Sequence, residues 1–288
     1  MYARRRPKLS LFRGQWAVRA WAYGVRRVEA GGEGVIYWQS AGVTLHQGDA
    51  LATLKELEAE STQLVVTSPP YNTGNTARRN TPKHSHWQAP AHGEWYDDNL
   101  TQGEYEHQQI AVLEAVARVL KADGSVLYNH RPRPWGRRVI HPLDWLRRVS
   151  GLALVQEIVW ARPGGMLHNS GVFLPTHEMI YWLCRADGKP RWPARHAIDW
   201  GTVWYMAADR DVKEHPCAFP LELPKRCIAA LTEPGEVVLD PYAGSGQTLL
   251  AAQELGRQAL GIELVPQFCD LIRRRLSEQP SLLQAASS

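Results

Sequence analysis

The chain has 288 residues, 44% of them hydrophobic and 22% charged, the ordinary balance of a soluble globular protein. No apolar run approaches a membrane span, and the start is too basic and aromatic for a secretory signal, so the cytoplasm is the expected compartment. Four cysteines without a CxxC pair argue against structural zinc, and His84, His86 and His92 read better as a polar loop than as metal ligands. No metal is expected. The net charge of +4 is mild but uneven. Residues 1–29 carry Arg4, Arg5, Arg6, Lys8, Arg13, Arg19, Arg26 and Arg27 against the single acid Glu29. Residues 1–34 are therefore set apart as a basic arm, and 35–288 as the catalytic domain. A polyanion such as DNA or RNA suits such a cluster, and so does a plain solubilising tail.

From about residue 35, short β-rich runs alternate with helical stretches. Val43–His46 is a strand candidate ending at Gly48-Asp49, followed by Leu51, Leu54 and Leu57 at helical spacing. Leu64–Thr67 is the next strand. The polar segment 72–100 is long for a connection and reads as a lid-like loop, with Arg78 and Arg79 as candidate DNA contacts. Residues 105–121 carry a helical apolar stripe, and Asp123-Gly124 is its expected stop. Ser125–Asn129 is a strand, followed by the Pro/Gly-rich run RPRPWGRR. Its Arg131, Arg133, Arg137 and Arg138 are further candidate DNA contacts.

Gln156–Ala161 and Glu178–Cys184 predict an antiparallel hairpin. Residues 185–214 break the alternation and interleave charge with Trp192, Trp200, Trp204 and Tyr205, a mixture that grips bases and phosphates. Alternation then resumes with a strand over Glu236–Asp240, a helix over Gln247–Leu255 closed by Gly256, and a strand over Ala259–Glu263. A last helix follows Pro266, with Phe268, Leu271, Ile272 and Leu276 inward. The expected fold is α/β: a mostly parallel sheet with helices on both faces.

Two motifs carry chemistry. Asp240-Pro241-Tyr242-Ala243-Gly244-Ser245-Gly246-Gln247-Thr248 follows a strand and opens a helix. Gly244 and Gly246 let a ligand approach the backbone. The run is neither GxGxxG nor a GK[ST] phosphate loop, so it suits a nucleoside with an amino-acid tail better than a pyrophosphate. Glu263, 23 residues after Asp240 at the next strand end, is placed to accept from ribose hydroxyls. S-adenosylmethionine is the expected cofactor, ahead of NAD.

The second motif is Thr67-Ser68-Pro69-Pro70-Tyr71-Asn72, at the end of an apolar strand. Pro69 and Pro70 offer carbonyls and no amide hydrogens, making a rigid acceptor wall. An exocyclic amine of a nucleobase is its donor-rich complement. Bonds from that amine to the Ser68 hydroxyl and a proline-flanked carbonyl would draw its lone pair out of the ring and toward a sulfonium methyl. Ser68 need not be a base, because the proton can leave after transfer. Tyr71 offers a face for a base extruded from the duplex.

TSPPY resembles the catalytic motif of the amino-group DNA methyltransferases, which modify N4 of cytosine or N6 of adenine. The resemblance covers most of residues 43–276. Asp240–Gly246 looks like the family's cofactor motif, Glu263 like its ribose acid, and Gly48-Asp49 like the motif whose acid lies near adenine. His215–Ile228 (HPCAFPLELPKRCI), with Phe219, is similar to the segment that encloses the methionine.

The order, catalytic motif before cofactor motif, resembles the permuted β group. The resemblance implies a Rossmann-like, mostly parallel seven-stranded sheet, with target recognition at about 185–214. It also implies a homodimer, duplex DNA as substrate, and a restriction endonuclease as companion. Ser68 at the first motif position resembles the N4-cytosine enzymes, whereas β-group adenine enzymes more often carry Asp there. Rival readings are methylation of RNA or a protein amide, and a DNA-binding module with a vestigial cofactor fold. Cys217 reads as packing rather than as a C5-cytosine nucleophile.

Overall fold

Thr62–Thr67 is buried at every position. A strand with no solvent face needs a layer on each side, and that requirement organises the molecule. The computed structural model describes residues 34–40, 42–73, 99–135, 138–162, 173–207 and 218–278. The basic arm, Arg78, Arg79, Arg137, the three loop histidines and His215–Cys217 lie outside them.

In chain order the strands are β1 (Val35–Ser40), β2 (Val43–Gln47), β3 (Thr62–Thr67), β4 (Leu120–His130), β5 (Arg133–Trp135), β6 (Arg138–Ile140), β7 (Leu152–Ala161), β8 (His177–Arg185), β9 (Val203–Tyr205), β10 (Val237–Asp240) and β11 (Gln258–Glu263). Nine form one sheet in the order β1-β2-β11-β10-β3-β4-β8-β7-β9, and β5 and β6 pair separately. Pairing is parallel from β2 through β11, β10 and β3 to β4, and antiparallel where β8 joins β4 and β7.

Seven helices are present among the described residues: α1 (Ala50–Glu56), α2 (Gln102–Val119), α3 (Leu143–Leu146), α4 (Arg195–Ile198), α5 (Glu222–Leu231), α6 (Gln247–Glu254) and α7 (Pro266–Ser277). Successive strand residues face opposite layers. Leu64 and Val66 of β3, with Val238 of β10 and Leu45 of β2, join the layer of α5, α6 and α7 through Ile228, Leu249 and Ile272. Val65, Leu239 and Ile262 join the other layer, with Leu54 of α1, Leu113 and Val116 of α2 and Trp145 of α3.

The parallel α/β sheet agrees with the sequence, but it holds nine strands rather than seven. The two additions sit at the edges: β1 folds back antiparallel on β2, and β9 adds parallel to β7. The long apolar helix also ends earlier than its sequence suggests. Leu120 turns extended and pairs with Thr62, so α2 runs straight into β4 without a glycine stop. Gly124 instead permits close packing, since a Cβ there would lie 2.8 Å from Leu120 Cγ and 3.0 Å from the Gln63 carbonyl.

Part of the irregular run 185–214 is therefore sheet. Trp204, 5% exposed, packs in the core, while its neighbour Tyr205 is 80% exposed. Trp204→Ala is expected to cost about 3–5 kcal/mol in denaturant unfolding. Tyr205→Ala, on the same short strand, should change stability by less than about 0.5 kcal/mol. Equal losses would place this strand's contribution in its backbone rather than in the indole.

Candidate active site

The chain runs from β10 toward β11 on one side and from β3 toward β4 on the other, so the sheet order reverses between β10 and β3. Ligands of open α/β sheets settle beyond the carboxyl ends of the strands at such a point. Four adjacent ends carry the sequence motifs: Gly48-Asp49 after β2, Glu263 at the end of β11, Asp240 at the end of β10, and Ser68 just past β3.

The two central ends are bolted together. The Thr67 hydroxyl donates to Asp240 Oδ1 at 2.7 Å, and the same oxygen accepts from the Tyr242 amide at 3.0 Å. The Thr248 hydroxyl, in the first turn of α6, donates to the Val66 carbonyl at 3.1 Å. Asp240 is 1% exposed, and burial raises its carboxyl to about 6 against these stabilising donors. It is expected above to meet the cofactor directly. What it visibly does is lock the glycine loop to the catalytic strand.

That loop turns by left-handed backbone at Gly244 (φ 54°) and Gly246 (φ 81°). A Cβ at Gly246 would also lie 3.1 Å from Ile272 Cγ1. The Ala243 amide donates to the Ile262 carbonyl at 2.9 Å, which seats the loop against β11. Glu263 accepts from the Gly244 amide at 2.7 Å and the Val265 amide at 2.8 Å. The Arg275 guanidinium holds the Ser245 carbonyl, and the Phe219 carbonyl accepts from Gln247. Asp49 caps α1 through the Ala52 amide, and the Gly48 amide donates to the Glu263 carbonyl. Glycine backbone open to approach, with carboxylates at neighbouring strand ends, fits an adenosine-containing ligand.

Across from this loop, Ser68 Oγ lies 2.9 Å from the Tyr71 hydroxyl. Tyr71 donates to Glu178 Oε2 at 3.0 Å and accepts from Asn129 Nδ2 at 2.6 Å. His130 stacks on the Tyr71 ring with centroids 4.3 Å apart, so one face of that ring is already covered. Burial lowers His130 to about 3, which keeps the imidazole neutral. The Tyr105 hydroxyl donates to the Pro70 carbonyl at 2.9 Å and lies 2.7 Å from His130 Nε2. Asn72 adopts a left-handed φ of 53°, and its side-chain amide both accepts from the Leu100 amide and donates to the Leu100 carbonyl.

Glu178, Asn129, Tyr105 and His130 are absent from the expectations drawn from sequence. Asn129 and His130 end a predicted strand beside the catalytic one, which is the signal that could have found them. Arg133 also differs from its expected role as a DNA contact. It is 5% exposed, its guanidinium is bonded to the Asn72 carbonyl and Gln102 Oε1, and it lies over the Tyr105 ring. Burial of its polar head makes it a brace of the turn. Arg131 stays near the site, its guanidinium carbon 5.9 Å from the Tyr71 ring centre, and Arg138 is exposed.

Burial, opposed by its two amide donors and reinforced by Asp240, raises Glu263 to about 7. The folded chain thus holds a proton there that the unfolded chain has released. The stabilising contribution is complete below the ordinary glutamate range and is lost as pH rises through about 7. Melting temperatures of wild type and Glu263→Gln measured from about pH 5 to about pH 8 should shift steadily in the variant's favour. A pH-independent difference would refute the buried-carboxyl reading.

Comparison with known proteins agrees with this geometry. The N6/N4 methyltransferase family, described as DNA methylase, matches residues 62–274. The type II methyltransferase M.XycI of Xanthomonas campestris pv. cyanopsidis is 29% identical over 283 residues, covering 83% of this chain and 89% of its own length. The DNA modification methylase TTHA0409 of Thermus thermophilus, solved with S-adenosyl-L-methionine, superposes with a TM-score of 0.58 at 27% identity, over 81% of this chain and 93% of that one. The cytosine-N4-specific PvuII DNA methyltransferase shares the fold, with a TM-score of 0.62 at 20% identity over 82% and 93% of the two chains. The family match spans the catalytic corner, the glycine loop and both central strands, and the chain belongs to the N6/N4 DNA methylase family.

Proposed function

We propose that the chain transfers a methyl group from S-adenosylmethionine to the exocyclic N4 of cytosine in duplex DNA, with the target base flipped out of the stack. The observation that carries this reading is the bolted pair of strand ends. Thr67 and Asp240 fix Ser68 and the glycine loop side by side, so an amine held at one faces a ligand held at the other.

When bound, the cofactor supplies an electrophilic methyl on a sulfonium. Gly244 and Gly246 admit its backbone approach, Glu263 and Asp49 are positioned for its hydroxyl and ring donors, and Phe219, Tyr242, Ala243, Ser245 and Thr248 shape the surroundings. The chain's own part in the chemistry is to orient. The Ser68 hydroxyl and a proline carbonyl accept the amine's hydrogens and direct its lone pair, and the uncovered face of Tyr71 supports the base. The neutral, buried His130 offers no general base here, in keeping with loss of the proton after transfer.

Exposed Trp192 and Tyr205 and the half-buried Arg131 supply a surface for the duplex. The basic arm, Arg78, Arg79, Arg137 and Arg138 complete the proposed footprint, and about 185–214 serves target recognition. The reading extends to a homodimer and a companion restriction endonuclease, as for enzymes of the β group. Adenine N6 is the second reading, because the family takes both amino targets.

Nucleoside mass spectrometry of duplex DNA incubated with the protein and S-adenosylmethionine should detect N4-methylcytosine. N6-methyladenine would move the assignment to the second reading, and methyl transfer confined to RNA or protein would overturn both. Ser68→Ala should lower kcat on the order of 100-fold or more, because the lost bond acts at the reacting amine. Its DNA affinity should stay within about twofold. Comparable losses in both would assign Ser68 to binding instead.

A further inference from the structure

Glu178, on β8, has no place in the sequence motifs, yet the donors around the catalytic corner converge on it. Its Oε2 accepts from the Tyr71 hydroxyl at 3.0 Å and from Asn129 Nδ2 at 3.0 Å. Its Oε1 faces the Arg162 guanidinium at 3.4 Å. The Tyr71 hydroxyl has one proton, and the carboxylate takes it. Asn129 gives a second hydrogen to the Tyr71 oxygen at 2.6 Å. The remaining lone pair of that oxygen can only accept, so the 2.9 Å contact with Ser68 has Ser68 as the donor. Once its single proton points at Tyr71, Ser68 has only lone pairs left for a substrate amine.

The cluster is not arranged for stability. Asn129 is 2% exposed, and its Oδ1 has no partner among the described residues; neither has Arg162 Nε. Buried polar atoms left unpaired destabilise a fold, and such exceptions call for a functional account. An amide turned so that both hydrogens serve Tyr71 and Glu178, at the expense of its own oxygen, fits a role in fixing hydrogen direction. Ser68 alone would rotate freely. With its proton turned outward it would confront the amine donor to donor.

We propose that Glu178 is a positioning residue for methyl transfer: through Tyr71 and Asn129 it sets the direction of the Ser68 hydroxyl proton, so that Ser68 meets the target amine as a pure acceptor. This inference rests on the proposed function above but does not depend on which amino base is the target. Glu178 touches neither substrate nor cofactor. It acts through the order of hydrogen bonds that its charge imposes.

A double-mutant cycle tests it. Glu178→Gln preserves shape but can donate to Tyr71, which reverses the chain of hydrogens and turns the Ser68 proton outward. It should lower single-turnover methylation of duplex DNA on the order of 10–100-fold. Affinities for DNA and adenosylhomocysteine should stay within about twofold. The decisive readout is coupling: in a Ser68→Ala background, Glu178→Gln should cost less than about threefold, because the group it directs is gone. A structural role for Glu178 would leave its effect undiminished in that background and would overturn the inference. If Glu178→Gln unfolds, Tyr71→Phe, which deletes the relay's hydroxyl, replaces it in the same cycle with the same criteria. Wild-type protein that methylates neither cytosine nor adenine would instead defeat the proposed function itself. Methylating wild type with an additive cycle defeats only the role of Glu178.

Discussion

A buried carboxyl at the end of one strand accepting a hydroxyl from the end of the next is the contact on which this site turns. Asp240 and Thr67 are distant in sequence and are brought together only because β10 and β3 pair in parallel at the middle of the sheet. Without that register the glycine loop and the proline corner would be two unrelated turns. The bond places an ionisable group in the core, which is unfavourable by itself. Three protein donors offset that burial: the Thr67 hydroxyl, the Tyr242 amide and the Thr248 side chain. Each belongs to an element that must be held still during catalysis.

The same logic extends outward. Glu263 secures the loop from the β11 side, and Tyr105 secures the Pro70 carbonyl from helix α2. The corner is therefore gripped by groups from both helical layers and from both neighbouring strands. Such preorganisation is the means available to a reaction in which the protein need neither remove a proton before transfer nor form a covalent bond. The DNA methylase family is built on that division of labour, with reactivity in the cofactor and direction in the protein.

Much of this was legible in the residues. The strand–loop–helix run ending in DPYAGSG, the acid at Glu263 and the double proline each have a local physical meaning that survives in three dimensions. The β-rich runs found their partners because a strand buried on both faces is apolar throughout, and β3 is the clearest case. What could not be read was pairing across long separations. Nothing near Glu178 announces that its carboxylate will meet Tyr71, 107 residues away. Arg133 looked like its basic neighbours, and only the fold reveals that it turns inward to Asn72. The edge strands β1 and β9 are short and gain their character from the sheet they join. The start of α2 was available and missed: Thr101 and Glu104 form a capping box, and the helix begins there.

The side chain of Asn72 grips both backbone groups of Leu100, so the chain leaves the catalytic corner and returns to it at a single amide. Whatever lies between those residues is closed off at its root, like a bight of rope pinched where it crosses itself. Closing a longer loop adds free energy only as the logarithm of its length. Relatives can therefore lengthen, shorten or replace this stretch to meet different substrates, while the corner at its base keeps its shape.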